Sequence, residues 1–127
     1  MDESAPAAVL VIDDEPLMLR LLRALFETDG YTVYEAMTGP MGLGLIPTVS
    51  PLAVVVDVMM PGMDGIEVCR QIAAEYPDLP VIILTGSDDP EVERRCMAAG
   101  ASHFITKPPE PFQLTELLNS YLAQPAR

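Results

Sequence analysis

The sequence predicts one α/β domain, a doubly wound five-stranded parallel sheet with the strand order 2-1-3-4-5. Three observations predict it. Short runs of Val, Ile and Leu recur along the chain, each followed by a segment with helical periodicity. Most of these runs are continuously apolar rather than alternating, as strands buried on both faces are. Four of them end on residues that can serve one site, Asp13-Asp14, Asp57, Thr85 and Lys107, whereas the second ends in Glu35-Ala36. In an open parallel sheet the ligand site lies beyond the carboxyl ends of the strands, so the second strand suits the far edge.

The first strand spans residues 9–12. A helix over 16–26 follows, with Pro16 suited to its first turn and Gly30 closing it. Residues 31–36 read as the second strand. The segment 39–51 is the weak element: Pro40, Gly42, Gly44, Pro47 and Pro51 make a poor helix, although Met41, Leu43, Leu45 and Ile46 supply apolar contacts. One or two short helical turns and mobility are expected there. The third strand spans 53–56, and an amphipathic helix over 65–76 is stopped by Pro77 and Pro80.

The fourth strand spans 81–84. Asp88-Asp89-Pro90-Glu91 then starts a helix, because Asp caps, Pro fits the first turn and acids suit the dipole. That helix runs to Ala99 and ends at Gly100. The fifth strand spans 102–106, and a last helix runs from Pro111 to about Ala123. Right-handed crossovers then give the doubly wound sheet. With no internal repeat or linker, residues 1–127 form a single domain with a core of about 8–122 and about four frayed residues at each end.

The composition excludes several classes. Half of the 127 residues are hydrophobic and the mean hydropathy is +0.27, so a disordered chain is ruled out. No apolar run approaches the roughly 20 residues of a membrane span. The first residues, Met1-Asp-Glu-Ser, are acidic where a signal peptide is basic, which predicts a cytoplasmic protein. A net charge of −12 and a pI near 4.1 argue against direct nucleic-acid binding. Cys69 and Cys96 are expected as buried free thiols, and His103, at the start of the fifth strand, as structural or surface.

The chemistry follows from the strand ends. Asp13, Asp14 and Asp57 repel one another unless a cation neutralises them. Mg²⁺ fits: it is hard, oxygen-seeking and commonly held by one or two carboxylates plus waters and phosphate oxygens. Asp57 can act as nucleophile toward a phosphoryl group. Lys107 and Thr85 can hold phosphoryl oxygens by charge and hydrogen bond. Taken singly, each residue also has a plain structural role, as helix cap, strand end or surface lysine; their coincidence at the strand ends favours the joint site.

Together Val11-Ile-Asp-Asp-Glu-Pro16, Asp57-Val-Met-Met-Pro-Gly-Met-Asp-Gly65, Leu84-Thr-Gly86 and Phe104-Ile-Thr-Lys-Pro108 make the chain resemble the receiver domain of bacterial two-component response regulators, from about Ala8 to Leu122. The resemblance implies a flavodoxin-like (βα)5 fold. It implies that Asp57 is the phosphoacceptor for a phosphohistidine of a sensor histidine kinase or histidine phosphotransfer protein. Asp14 and Asp57 would hold Mg²⁺ with the backbone carbonyl of Met59, and Asp13 would act mainly through water. Lys107 would pair with the phosphoryl group, and its bond to Pro108 is expected to be cis. Thr85 and Phe104 would be the switch pair. They would act on the surface of the fourth helix, fifth strand and fifth helix, including Glu93, Arg94, Arg95 and Tyr121. Output would pass to a downstream protein or domain, with a homodimer through the same face as a weaker expectation. Such a domain is no enzyme in the usual sense, since it catalyses only its own phosphorylation and dephosphorylation.

Four departures from the family pattern stand out. Phe104 replaces a frequent Tyr, Pro109 an often aromatic residue, and the second helix is unusually rich in Gly and Pro. Met59 is apolar where a polar side chain could place an attacking water, which predicts slow self-dephosphorylation. Two other readings stay open. One is an aspartate-nucleophile phosphatase, disfavoured because Met59 occupies the position of its usual second Asp. The other is a receiver-like interaction module that is never phosphorylated.

Overall fold

β-Branched residues dominate the strands because they pack well on a pleated surface buried on both sides. In a computed structural model that describes residues 6–122, these runs form β1 (Ala8–Ile12), β2 (Thr32–Ala36), β3 (Ala53–Val56), β4 (Val81–Thr85) and β5 (His103–Thr106). They pair in parallel in the order β2-β1-β3-β4-β5, as expected. The helices between them are α1 (Pro16–Thr28), α2 (Gly39–Val49), α3 (Gly65–Glu75), α4 (Pro90–Ala98) and α5 (Pro111–Leu122). The expected fraying of about four residues at each end and the end of the last helix at Ala123 lie outside the described residues. None of the described helices is long and apolar enough to cross a membrane.

Successive strand residues point to opposite faces and so build two cores. Leu10, Ile12, Val54, Val56, Val81 and Ile83 face a layer that contains Ile46, Ile66, Val68, Ile72 and Cys96. Val9, Val11, Ala53, Val55, Ile82 and Leu84 face Leu19, Leu22, Phe26, Leu114 and Leu118 of α1 and α5. Each fully buried Leu, Ile or Phe contributes roughly 2 kcal/mol.

The second helix corrects the sequence-based expectation. It is continuous over eleven residues rather than one or two turns. Thr38 caps it, its hydroxyl accepting the Met41 N–H at 3.2 Å, and Pro40 sits harmlessly in the first turn. Gly39, Gly42 and Ile46 form its buried stripe. A Cβ on Gly42 would overlap the Ile12 side chain, so the glycine that weakens the helix locally is what lets it lie close on β1. Tertiary packing overrides a propensity deficit of roughly 1 kcal/mol per glycine.

Cys69 on α3 and Cys96 on α4 are free and fully buried, as expected. Burial, with a smaller contribution from Cys96, pushes the Cys69 thiol up to about 11. Both thiols are therefore expected to resist iodoacetamide in the native protein and react fully in guanidinium; native labelling at the unfolded rate would contradict this. Because the fold favours the neutral thiol, the Cys69 contribution to stability is full below its unfolded value near 9.0 and is lost as pH rises through about 11.

Candidate functional site

The strand ladders continue one residue past β1, β3 and β5. The Asp13 N–H donates to the Ala36 carbonyl at 3.0 Å, the Asp57 N–H to the Ile12 carbonyl at 3.0 Å and the Lys107 N–H to the Thr85 carbonyl at 2.7 Å. These bonds align Asp57 with the end of β1 and Lys107 with the end of β4. The Lys107–Pro108 bond is cis, as expected.

Asp13, Asp14 and Asp57 each bring a carboxylate oxygen within 4.8 Å of the others. Asp13 and Asp57 are only 2% and 4% exposed, while Asp14 is half-buried. Burial pushes the Asp13 carboxyl above its usual range, although the Glu15 N–H and Lys107 pull the other way. Lys107 Nζ lies 3.0 Å from Asp13 Oδ2, 3.2 Å from Asp57 Oδ2 and 2.7 Å from Glu15 Oε1. Burial opposes its charge, yet hydrogen bonds to Glu15 and Asp13, with the Asp57 charge, hold the ammonium above the usual lysine range.

The other oxygen of Asp57, Oδ1, accepts the Met59 N–H at 3.2 Å, which ties the Met59 backbone to the site while its side chain stays exposed. Asp14, Glu15, Asp57, Met59, Gly86 and Lys107 line one cavity of about 420 Å³. Its carboxylates outnumber its one ammonium, and no His or Cys lines it. An all-oxygen, net-negative donor set of this kind can hold a hard divalent cation. A larger cavity of about 500 Å³ lies at the opposite end of the sheet, among Pro47, Pro51, Pro77, Pro80, Tyr76 and Leu79. Asp78 is the single carboxylate that lines it, with no lysine, arginine or histidine beside it.

Thr85 is completely buried, and its Oγ1 has no hydrogen-bond partner. An unmade bond on a buried hydroxyl costs about 1–3 kcal/mol, so this donor at the end of β4 lies uncompensated. Phe104, on the neighbouring strand β5, is half-buried against the core on the α2–α4 side. Glu93, Arg94 and Arg95 are exposed on α4. Tyr121, on α5, is half-buried, its ring 6.2 Å from that of His103.

Glu15 is the residue that sequence reasoning missed, having entered only as a letter of the Asp-Asp-Glu-Pro run. Its carboxylate is the nearest of the three around Lys107 Nζ. The available signal was its place before Pro16, where a capping Ser, Thr, Asp or Asn is preferred.

A family model described as the response regulator receiver domain matches residues 9–119. The chain belongs to this family. "Response regulator MprA" of Mycolicibacterium vanbaalenii is 42% identical to this receiver domain over 113 residues, 89% of this chain and 48% of that protein. The protein of the same name from Mycobacterium ulcerans is 41% identical over 110 residues, 87% of this chain and 46% of that protein. The receiver domain thus spans about half the length of the curated relatives it matches. Among solved structures, a putative response regulator from Chloroflexus aurantiacus superposes with a TM-score of 0.86 at 30% identity, covering 94% of this chain and 99% of that one. The chemotaxis protein CheY4 of Vibrio cholerae superposes with a TM-score of 0.84 at 28% identity, covering 92% of this chain and 99% of that one.

Proposed function

We propose that this receiver domain accepts a phosphoryl group on Asp57 from the phosphohistidine of a sensor histidine kinase or histidine phosphotransfer protein. A carboxylate oxygen of Asp57 forms the new P–O bond as the P–N bond to the donor imidazole breaks, and that electron pair returns to the ring nitrogen. Asp13, Asp14 and Asp57, with the Met59 carbonyl, are the residues that would hold Mg²⁺. Bound there, Mg²⁺ would offset the repulsion between the carboxylates and the incoming phosphoryl oxygens. Lys107 supplies the protein's own positive charge to the phosphoryl group, and the unpartnered Thr85 hydroxyl donates a hydrogen bond to it. As Thr85 shifts, Phe104 turns inward and the α4–β5–α5 face changes shape for an output protein or domain, or for a second copy of this chain. The domain catalyses its own phosphorylation and dephosphorylation and acts on no other substrate.

The observation that carries this reading is the convergence of three carboxylates, one paired ammonium and one unpartnered buried hydroxyl at neighbouring strand ends. Its test is the intact mass after incubation with acetyl phosphate and Mg²⁺. One added phosphoryl group is expected on the wild type and none on Asp57→Asn or without Mg²⁺; an adduct that survives Asp57→Asn sinks the assignment. With an apolar, exposed Met59 beside Asp57, the adduct is expected to persist for minutes or longer. Loss within seconds in the isolated protein would overturn that point alone.

A further inference from the structure

A lysine ammonium has three donors and no acceptor. In this structure Lys107 Nζ has three carboxylate neighbours within hydrogen-bond distance: Glu15 at 2.7 Å, Asp13 at 3.0 Å and Asp57 at 3.2 Å. A phosphoryl oxygen that approaches Lys107 therefore competes with the neighbouring carboxylates for the ammonium. Asp13 and Asp57 are almost fully buried, whereas the Glu15 side chain is 60% exposed, so its release into water costs least.

The local structure at Glu15 points the same way. Glu15 is the N-cap residue of α1, yet its side chain makes no capping bond. It reaches instead to a residue 92 positions along the chain. The Asp13 carboxylate accepts the Glu15 N–H at 2.9 Å, which holds the Glu15 backbone at the rim of the cavity while its side chain lies largely in solvent. A residue type poorly suited to capping, committed to a distant lysine, breaks a local rule as functional positions do.

We propose that Glu15 is a releasable latch on Lys107. It occupies one ammonium donor in the unphosphorylated state and is displaced by the phosphoryl group, so it is a positioning residue that opposes phosphorylation. The proposal rests on the phosphoacceptor reading of Asp57. Without the latch, Lys107 has a donor free before the phosphoryl group arrives, and the step no longer includes breaking a charge-assisted bond.

Glu15→Gln and Glu15→Asp separate the latch from a simple charge effect. Asp keeps the negative charge at the rim but is one methylene too short to keep the contact. The rate of adduct formation is followed by intact mass against acetyl phosphate concentration, with Mg²⁺ constant. Both variants are expected to raise the maximal rate roughly three- to tenfold, with the half-saturating concentration little changed. A wild-type rate in Glu15→Asp beside a faster Glu15→Gln would make Glu15 only a repulsive charge. Slower phosphorylation in both would make it a support for Lys107; either result overturns the latch. A second readout needs no phosphoryl donor: solvent exchange of the Lys107 ammonium protons, followed by NMR, should quicken in both variants, and unchanged exchange counts against the latch. A folded wild type that takes no phosphoryl group is a different failure, which removes the Asp57 reading itself and the latch with it.

Discussion

Replacing Gly65 with valine is expected to lower the stability of the domain by about 3 kcal/mol and to impair phosphorylation of whatever remains folded. Gly65 is the first residue of α3 and is buried under the strand end that carries Asp57. A Cβ at this position would overlap the Asp57 carbonyl oxygen and lie 2.8 Å from the Asp57 carbonyl carbon and from Val58 Cα. These neighbours are backbone atoms and cannot rotate away as a side-chain tip can. The Gly65 N–H also donates to the Val58 carbonyl at 3.0 Å, which pins α3 to the chain just after Asp57. Any retreat of α3 therefore drags Asp57 with it. Urea denaturation gives the stability and intact mass gives the phosphorylation. Gly44→Ala is the control: the residue is exposed on α2, a Cβ there would meet nothing within 4 Å, and the variant should gain up to about 1 kcal/mol. A Gly65→Val protein as stable as the wild type would show that α3 packs with room to spare.

Removing the cation from the acid cluster is expected to have the second large effect. Without divalent ions, Lys107→Ala leaves Asp13 and Asp57 buried beside each other without their ammonium, which costs about 3 kcal/mol. Adding Mg²⁺ should restore part of that loss, because a cation bound only by the folded state stabilises it. Asp13→Asn should behave in the opposite way. Burial favours the neutral form of Asp13, so its contribution to stability is present in acid and is lost as pH rises through its raised folded value. At neutral pH the Asp13 charge therefore opposes folding, and the amide should stabilise the protein in EDTA while shrinking the gain on adding Mg²⁺. Thermal melts with EDTA and with Mg²⁺ measure both variants. A Lys107→Ala protein unchanged in EDTA would mean that solvent already screens the cluster.

The same carboxylates thus serve two ends. On the proposed reading, close packing of three acids costs stability in the isolated domain and makes the donor set for a cation and a phosphoryl group. Lys107 offsets part of the repulsion, and Glu15, the nearest and most exposed of its partners, tempers how available that lysine is.

Much of the fold was legible in the chain because its signals are local. Continuous Val and Ile runs at strand spacing, Pro16 and Pro90 at helix starts and Gly100 after α4 each act within a few residues. The candidate site was legible for the same reason: a parallel sheet delivers every strand end to one face, so the placement of Asp13, Asp14, Asp57, Thr85 and Lys107 followed from their positions after each strand. What local signals could not decide depended on partners far along the chain. The glycines of α2 predict a poor helix until Ile12 is placed beneath Gly42. Glu15 looks like a poor cap until Lys107 arrives from 92 residues away. By itself the sequence determined the five strands, four of the five helices and the residues at the carboxyl edge of the sheet, because propensity, periodicity and chain direction are properties of neighbours. Only the tertiary structure decided how closely α2 and α3 approach the strands, which hydroxyls stay unpartnered and which carboxylates hold the lysine, because close packing and charge pairing act through space.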